Sequence, residues 1–337
     1  MFVVLGILIF FIIPSLAIVV MLRCVYLEYR WDRVPILLYH RLISRDRAER
    51  GLVRDDEMIW VSYDTSFAEQ MAYLREAGYT ALCFDDYLAI RAGQRPMPPK
   101  PVILTFDDGY LSNYTIAYPV LKKYGYKATV FVSPEPDEHT RQLIEGIDGF
   151  LDTAQICEMV DQGVSIQSHT LTHCVLTELS DEAAMFELAE SRRKLAEMTG
   201  RPVDHIAIPR AGYSWRVKRL VKEAGYKTAC CNNKGSANGL SDLLALPRIV
   251  IERDMSIEDF ARCLMPRAST MLRIVGNIKR IPERIGGAHF ARKVRNVLYI
   301  KPFRPLFQTR NLKKVIAIFA LAYLSGSLWF IWYLMAG

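Results

Sequence analysis

The chain has 337 residues, room for one large domain or two small ones, and 51% of them are apolar, more than one core needs. Its net charge of +7 is a local property. Residues 266–337 hold 13 Lys and Arg against the single acid Glu283, which leaves 30 of the 43 basic and 35 of the 36 acidic residues elsewhere, a balance of −5. So basic a stretch suits nucleic acid or anionic lipid headgroups, and beside an uncharged span lipid is the simpler partner.

In chain order, residues 2–22 carry no charge and are long enough to cross a bilayer as a helix, with Pro14 as a kink. A basic start and a small-residue cleavage site are missing, so the stretch reads as an uncleaved anchor. "VPILLYH" (34–40) is an apolar run ending in a polar residue, as expected of a buried strand, and residues 44–62 read as an irregular loop. "SFAEQMAYLREAGYTAL" predicts a helix with Ser66 as N-cap, Phe67, Met71, Leu74 and Ala77 on one face, and Gly78 as its stop. After the proline-rich turn 94–101 comes the strand "VILTF". "YPVLKKYGYKATVFVSP" predicts a helix, a stop at Gly125 and a strand at 128–132. "TAQICEMVDQGVSIQSH" repeats that order, with Gly163 as stop and His169 after the strand. "SDEAAMFELAESRRKLAEMTG" predicts a helix capped by Ser180 and Asp181 and ended by Gly200. "VDHIAIP", "VKRLVKEAGYKTACC" and "ALPRIVI" continue the alternation, which specifies an α/β fold with a parallel sheet.

Residues 266–314 interleave cations with Leu, Ile, Val and Phe, as an interfacial helix next to anionic lipid does. Residues 315–337 are again uncharged, with Trp329, Trp332 and Tyr333 suited to a membrane interface. The basic residues lie on the inner side of both runs, at Arg23, Arg30 and Arg33 and at Arg310, Lys313 and Lys314. The expectation is a two-span inner-membrane protein with a cytoplasmic catalytic domain. Seven cysteines without regular spacing agree with a reducing compartment. The predicted organisation is an anchor at 1–22, a catalytic domain at 33–265, a basic amphipathic region at 266–314 and a second transmembrane helix at 315–337.

Strand after strand ends in a polar residue: His40, Asp107, His169, Arg210. In a βα-barrel, catalytic groups gather at those carboxyl ends. The stretch "PVILTFDDGY" places Asp107 and Asp108 side by side. Two adjacent carboxylates call for a cation beside one or a raised pKa on the other. "SHTLTH" supplies His169 and His173, which converge if they share a helix face or sit on a tight loop. Two imidazoles and one carboxylate bind a divalent metal and leave positions open. Asp108 is the natural third ligand, and Asp107 is then free to take a proton from water.

On these motifs the chain resembles the polysaccharide deacetylases of the NodB-homology type, carbohydrate esterase family 4. "TFDDGY" is similar to the first motif of that family and "SHTLTH" to its H-[ST]-x-x-H motif. The resemblance implies a distorted (β/α) barrel, Asp107 as base, Asp108, His169 and His173 as metal ligands, and Zn2+ as the divalent metal. The order "PILLYHRL", "SFAEQMAYLREAGYTAL", "ILTFDDGY" is similar to the circularly permuted poly-N-acetylglucosamine deacetylase branch. Leu38-Tyr39-His40 fits its L-x-H motif, which makes His40 the candidate general acid. The third motif departs from the pattern. Ala207-Ile208-Pro209-Arg210-Ala211 stands where A-Y-P-Y-G is usual, so the proline matches while arginine replaces tyrosine. Pro209, Arg210 and Tyr110 are candidate substrate-binding residues, and Arg248 stands in for the arginine that steadies the base.

The implied function is a metal-dependent hydrolase removing an N-acetyl or N-formyl group from an amino sugar, on a lipid-linked glycan or polysaccharide precursor. The alternative is a non-catalytic glycan- or lipid-binding module on the same fold. Expected partners are the glycan substrate and anionic membrane lipids, not nucleic acid. His139, His205 and His289 read as surface or supporting residues, and Cys230-Cys231 as packing.

Overall fold

The computed structural model describes residues 12–51, 60–142, 144–253 and 255–279. The chain divides into two compact units. Leu27–Arg273 form one, and Met1–Tyr26 with Ile274–Gly337 form the other.

Among the described residues of the larger unit, eight strands form one sheet in which every pairing is parallel. They are β1 (Ile36–Tyr39), β4 (Thr80–Leu82), β5 (Pro101–Phe106), β6 (Thr129–Val132), β7 (Ser165–Ser168), β8 (His205–Ala207), β9 (Thr228–Lys234) and β10 (Leu246–Val250). The order is β1-β10-β9-β8-β7-β6-β5-β4, and β1 also pairs with β5. That second pairing closes seven strands into a barrel and leaves β4 beside the start of β5. Strand β1 thus lies between β10 and β5, in register Leu37↔Ile249 on one edge and Tyr39↔Phe106 on the other. Two further strands, β2 (Arg41–Ile43) and β3 (Val61–Tyr63), form a small parallel pair.

Parallel strands need crossovers, and helices provide them. These are α3 (Asp64–Glu76), α4 (Phe84–Arg91), α5 (Tyr118–Tyr124), α7 (Thr153–Asp161), α8 (Asp181–Thr199) and α9 (Trp215–Glu223), with the short α2 (Arg45–Glu49) and α6 (Glu138–Gln142) between strands and α10 (Ile257–Cys263) after the last one. The local chemistry sets their ends. On α8 the Ser180 hydroxyl accepts from the Ala183 N–H, and Gly200 closes the helix in the left-handed region at φ 63°. Gly125 ends α5 in the same way. Leu37, Tyr39, Phe67, Met71, Leu104, Phe106, Val130, Ile166, Leu188 and Ile206 meet in one buried cluster. Full burial of each such side chain contributes about 1.5–3 kcal/mol.

Four expectations need correction. Residues 44–62 are not one loop, because α2 and β3 lie at its two ends. Helix α3 starts at Asp64, ahead of Ser66: the Asp64 carboxylate accepts the Thr65 N–H at 2.7 Å and adds negative charge to the first turn. His205 is buried at the start of β8, hydrogen-bonded to Thr228 Oγ1 at 2.9 Å and within 3.2 Å of Asp85, so it is neither a surface nor a site residue.

The fourth concerns the membrane. Among the described residues no helix is long and apolar enough to cross a bilayer, which overturns the two-span inner-membrane placement. Helix α1 (Ile13–Glu28) has 16 residues and already carries Arg23 and Glu28. Its end is an ion cluster. The fully buried Glu28 carboxylate binds Arg33, Arg273, Ser269 and the Ser236 N–H, all within the larger unit. The basic region enters helix α11 (Pro266–Lys279). The remainder of that region, His289 and the 315–337 span lie outside the described residues.

Candidate functional site

Asp107 and Asp108 follow β5 at the carboxyl end of the barrel. Asp107 continues the ladder, its N–H donating to Tyr39 O at 3.0 Å. Asp108 then turns into the left-handed region at φ 74°, followed by Gly109 at φ 71°. The turn splits the two side chains apart. A Cβ at Gly109 would also lie 3.1 Å from Val132 Cγ2, so that the valine side chain would have to shift.

Asp107 meets Arg248, which reaches across from β10. Nη1 donates to Oδ1 and Nη2 to Oδ2, each at 2.7 Å. Both residues are buried, and the fork-on-fork geometry is the strong form of this pair. Burial opposes the Asp107 charge, but Arg248 and His169 outweigh it and hold the carboxyl below its ordinary value. The structure thus brings Arg248 against Asp107, the candidate base.

Asp108 faces the imidazoles. His169 and His173 lie on a tight loop after β7, not on a helix, with Thr170 at φ 65° and His173 at φ 67°. Asp108 Oδ1 is 3.3 Å from His169 Nε2 and 3.1 Å from His173 Nε2. One ligand atom from each residue lies within 4.8 Å of the others, a set that could hold a metal ion.

The donor chemistry fits a cation. His169 Nδ1 is 2.8 Å from the Ala207 carbonyl, which only accepts. Nδ1 therefore carries the hydrogen, and in the neutral ring Nε2 offers a lone pair. That lone pair points at a carboxylate oxygen which is buried and accepts no hydrogen bond. Acceptors facing each other at this spacing need positive charge between them, and metal–ligand distances of about 2.0–2.2 Å at tetrahedral angles give similar ligand separations. The electrostatics agree. Burial works against charge on His169, yet Asp107 and Asp108 outweigh it and raise its affinity for a proton. Burial also opposes the Asp108 charge, and the two imidazoles overcome it and hold that carboxyl well below the usual range.

His40 extends β1 one residue beyond Tyr39, beside Asp107. Its ring packs edge-on to Trp60 at 4.7 Å between centroids. Burial lowers its proton affinity, and the fields of Asp108 and Asp107 partly restore it. Tyr110 stacks on Phe150 at 5.6 Å, and backbone bonds Leu111 N to Gly149 O and Leu151 N to Gly109 O tie the two loops. Pro209 is buried, while Arg210 is exposed in the left-handed region at φ 49°. Its Nη2 donates to Thr140 Oγ1 at 3.2 Å, so it turns toward the His173 side of the site. His139 is exposed, and Cys230 and Cys231 are buried free thiols, both as expected.

Sequence reasoning missed Glu187. This buried acid on α8 accepts the N–H groups of Leu171 and Thr172, each at 2.9 Å, and the Thr172 hydroxyl at 2.7 Å. It clamps the loop that carries both histidines. A signal existed: Glu187 shares the apolar stripe of Ala184, Leu188, Ser191 and Leu195, where a charge needs a reason. Thr140, Phe150 and Trp60 were missed as well, because their loops meet the site only in three dimensions.

The family model described as "Polysaccharide deacetylase" matches residues 94–229. A putative polysaccharide deacetylase of Bacillus subtilis, YxkH, is 30% identical over 224 residues, 66% of this chain and 73% of that protein. The poly-beta-1,6-N-acetyl-D-glucosamine N-deacetylase of Escherichia coli O157:H7 is 28% identical over 59% of this chain and only 34% of its own length. Among solved structures, the Streptococcus pyogenes deacetylase PplD in complex with acetate aligns with a TM-score of 0.61 at 28% identity, covering 69% of this chain and 99% of that one.

Proposed function

The chain belongs to the polysaccharide deacetylase family, and from that premise we propose that it hydrolyses the N-acetyl group of an amino sugar within a glycan, with a divalent metal held by Asp108, His169 and His173. The observation that carries this reading is the division of labour between adjacent acids. Asp107 is held as an anion by Arg248 while Asp108 joins two imidazoles.

A divalent ion, when bound there, supplies Lewis-acid polarisation of the amide carbonyl and of water. Asp107 takes the proton from the attacking water as the bond to the carbonyl carbon forms. Arg248 keeps Asp107 ionised and aims it. By resemblance to the family, a backbone N–H in the turn at Pro209–Ala211 helps to hold the oxyanion. His40 delivers a proton to the sugar nitrogen as the C–N bond breaks. Acetate and a free amine leave. Tyr110 and Phe150 give the sugar an apolar wall.

Strand β1 lies between β10 and β5, which brings His40 to this site from early in the chain. A polymer of N-acetylated glucosamine is the favoured substrate, supported by the name of the E. coli relative. A lipid-linked precursor drew on the membrane placement corrected above. N-formyl remains an alternative acyl group for the same chemistry. The non-catalytic reading leaves the Asp107–Arg248 pair without a task. Incubating the protein and Asp107→Asn with Zn2+ and N-acetylglucosamine oligomers, with acetate followed by mass spectrometry, tests the proposal. Release by wild type alone supports it, and no release from any N-acetylated or N-formylated glycan contradicts it.

A further inference from the structure

The two imidazoles are anchored by different means. His169 donates to a backbone carbonyl of β8. His173 has no such wall behind it, and its Nδ1 lies 3.4 Å from Thr140 Oγ1, on α6. If Nε2 of His173 is to offer a lone pair beside Asp108, its hydrogen must sit on Nδ1 and point at Thr140.

Thr140 is built to receive it. Its side chain is buried, and its Oγ1 also accepts from Arg210 Nη2 at 3.2 Å. Asp137 holds the residue in place: its carboxylate accepts the Thr140 backbone N–H at 2.7 Å.

The loop bearing these residues is laced to the histidine loop. Glu135 N donates to Leu171 O at 3.0 Å and Asp137 N to Thr172 O at 3.1 Å. Arg210 enters from a third loop, its left-handed backbone turning the guanidinium toward Thr140.

We propose that Thr140, braced by Asp137 and Arg210, is a positioning residue that fixes the tautomer and direction of the His173 ring. The arginine found where tyrosine is usual thus has a structural task in this chain. The proposal rests on the metal site of the preceding section.

Zinc affinity is the test, measured with Zn2+ alone against a chromogenic chelator, beside thermal unfolding of the metal-free chain. Thr140→Val keeps the shape and removes the hydroxyl. It should bind Zn2+ about 10–100-fold more weakly, as loss of a partner to a metal-bound histidine does. Thr140→Ser should restore binding, and Arg210→Ala should weaken it to a smaller extent. Wild-type affinity in Thr140→Val overturns the inference and leaves the family reading intact. A wild-type chain that takes up no Zn2+ overturns both. Should the valine variant fail to fold, Thr140→Ala replaces it: weaker binding supports the inference and unchanged binding refutes it.

Discussion

Asp107 and Asp108 are the same residue one position apart, and the fold gives them opposite surroundings. Asp107 faces a guanidinium that uses both of its oxygens. Asp108, rotated away by its left-handed backbone, presents one oxygen to two imidazoles and accepts no hydrogen bond on it. Covalent chemistry does not distinguish the pair; the dihedral between them and the strands that approach each one do. One half of the site is a closed ion pair. The other is an arrangement of lone pairs that a cation completes.

The sharpest way to break this comparison is to neutralise one acid at a time. Asp107→Asn should lower the deacetylation rate by about 10²–10⁴-fold, the range for losing a general base, without changing metal content. Equal loss of metal would show that the halves are not separate.

Arg248→Met probes the closed half. Leaving Asp107 buried without its partner should cost about 3–5 kcal/mol at neutral pH, read by urea unfolding. The pH dependence has a definite sign. Because Asp107 is held below its ordinary value, the pair's contribution is complete above the usual carboxylate range and fades as pH falls through the lower folded value. The variant should therefore approach wild-type stability as pH drops. A deficit that grows in acid would contradict the assignment.

On the other half, Glu187→Gln removes one of the two oxygens that grip the histidine loop. The expected loss is about 1.5–3 kcal/mol, with weaker metal binding as a consequence. Ser180→Ala, at the cap of the same helix but away from the ligands, should cost about 1 kcal/mol and leave metal binding unchanged. A similar effect on metal from both would mean that α8 acts as a whole and that the clamp has no special role.

What was legible in the sequence follows from the range of the interactions. The DDG turn and the H-x3-H loop are local, so their residues announced the site before any contact was known. Strand ends were legible because apolar runs stop where polar side chains begin. Arg248 entered only through the resemblance, as the stand-in for the arginine that steadies the base, and only barrel closure brings β10 to β5 through β1. Thr140 and Asp137 could not be read, since their role exists only where three loops meet. Strand β4 and helix α4 passed unassigned because "TALCFDDYLAIR" has no strong period and its Asp85-Asp86 pair resembles a loop. Asp86 instead caps the helix from within, accepting the Cys83 N–H. The apolar run near the N-terminus was over-read. Hydropathy alone gave it a membrane role; its described part is the helix Ile13–Glu28, which ends in a buried glutamate, and no described helix is long and apolar enough to cross a bilayer.

The account stands or falls on whether the two acids do different work. Asp107→Asn and Asp108→Asn should be titrated with Zn2+ against a competing chelator, with acetate release read from the same samples. The account predicts that Asp107→Asn binds one ion per chain and releases no acetate, while Asp108→Asn loses both. Full Zn2+ affinity in Asp108→Asn, or wild-type turnover in Asp107→Asn, would contradict it.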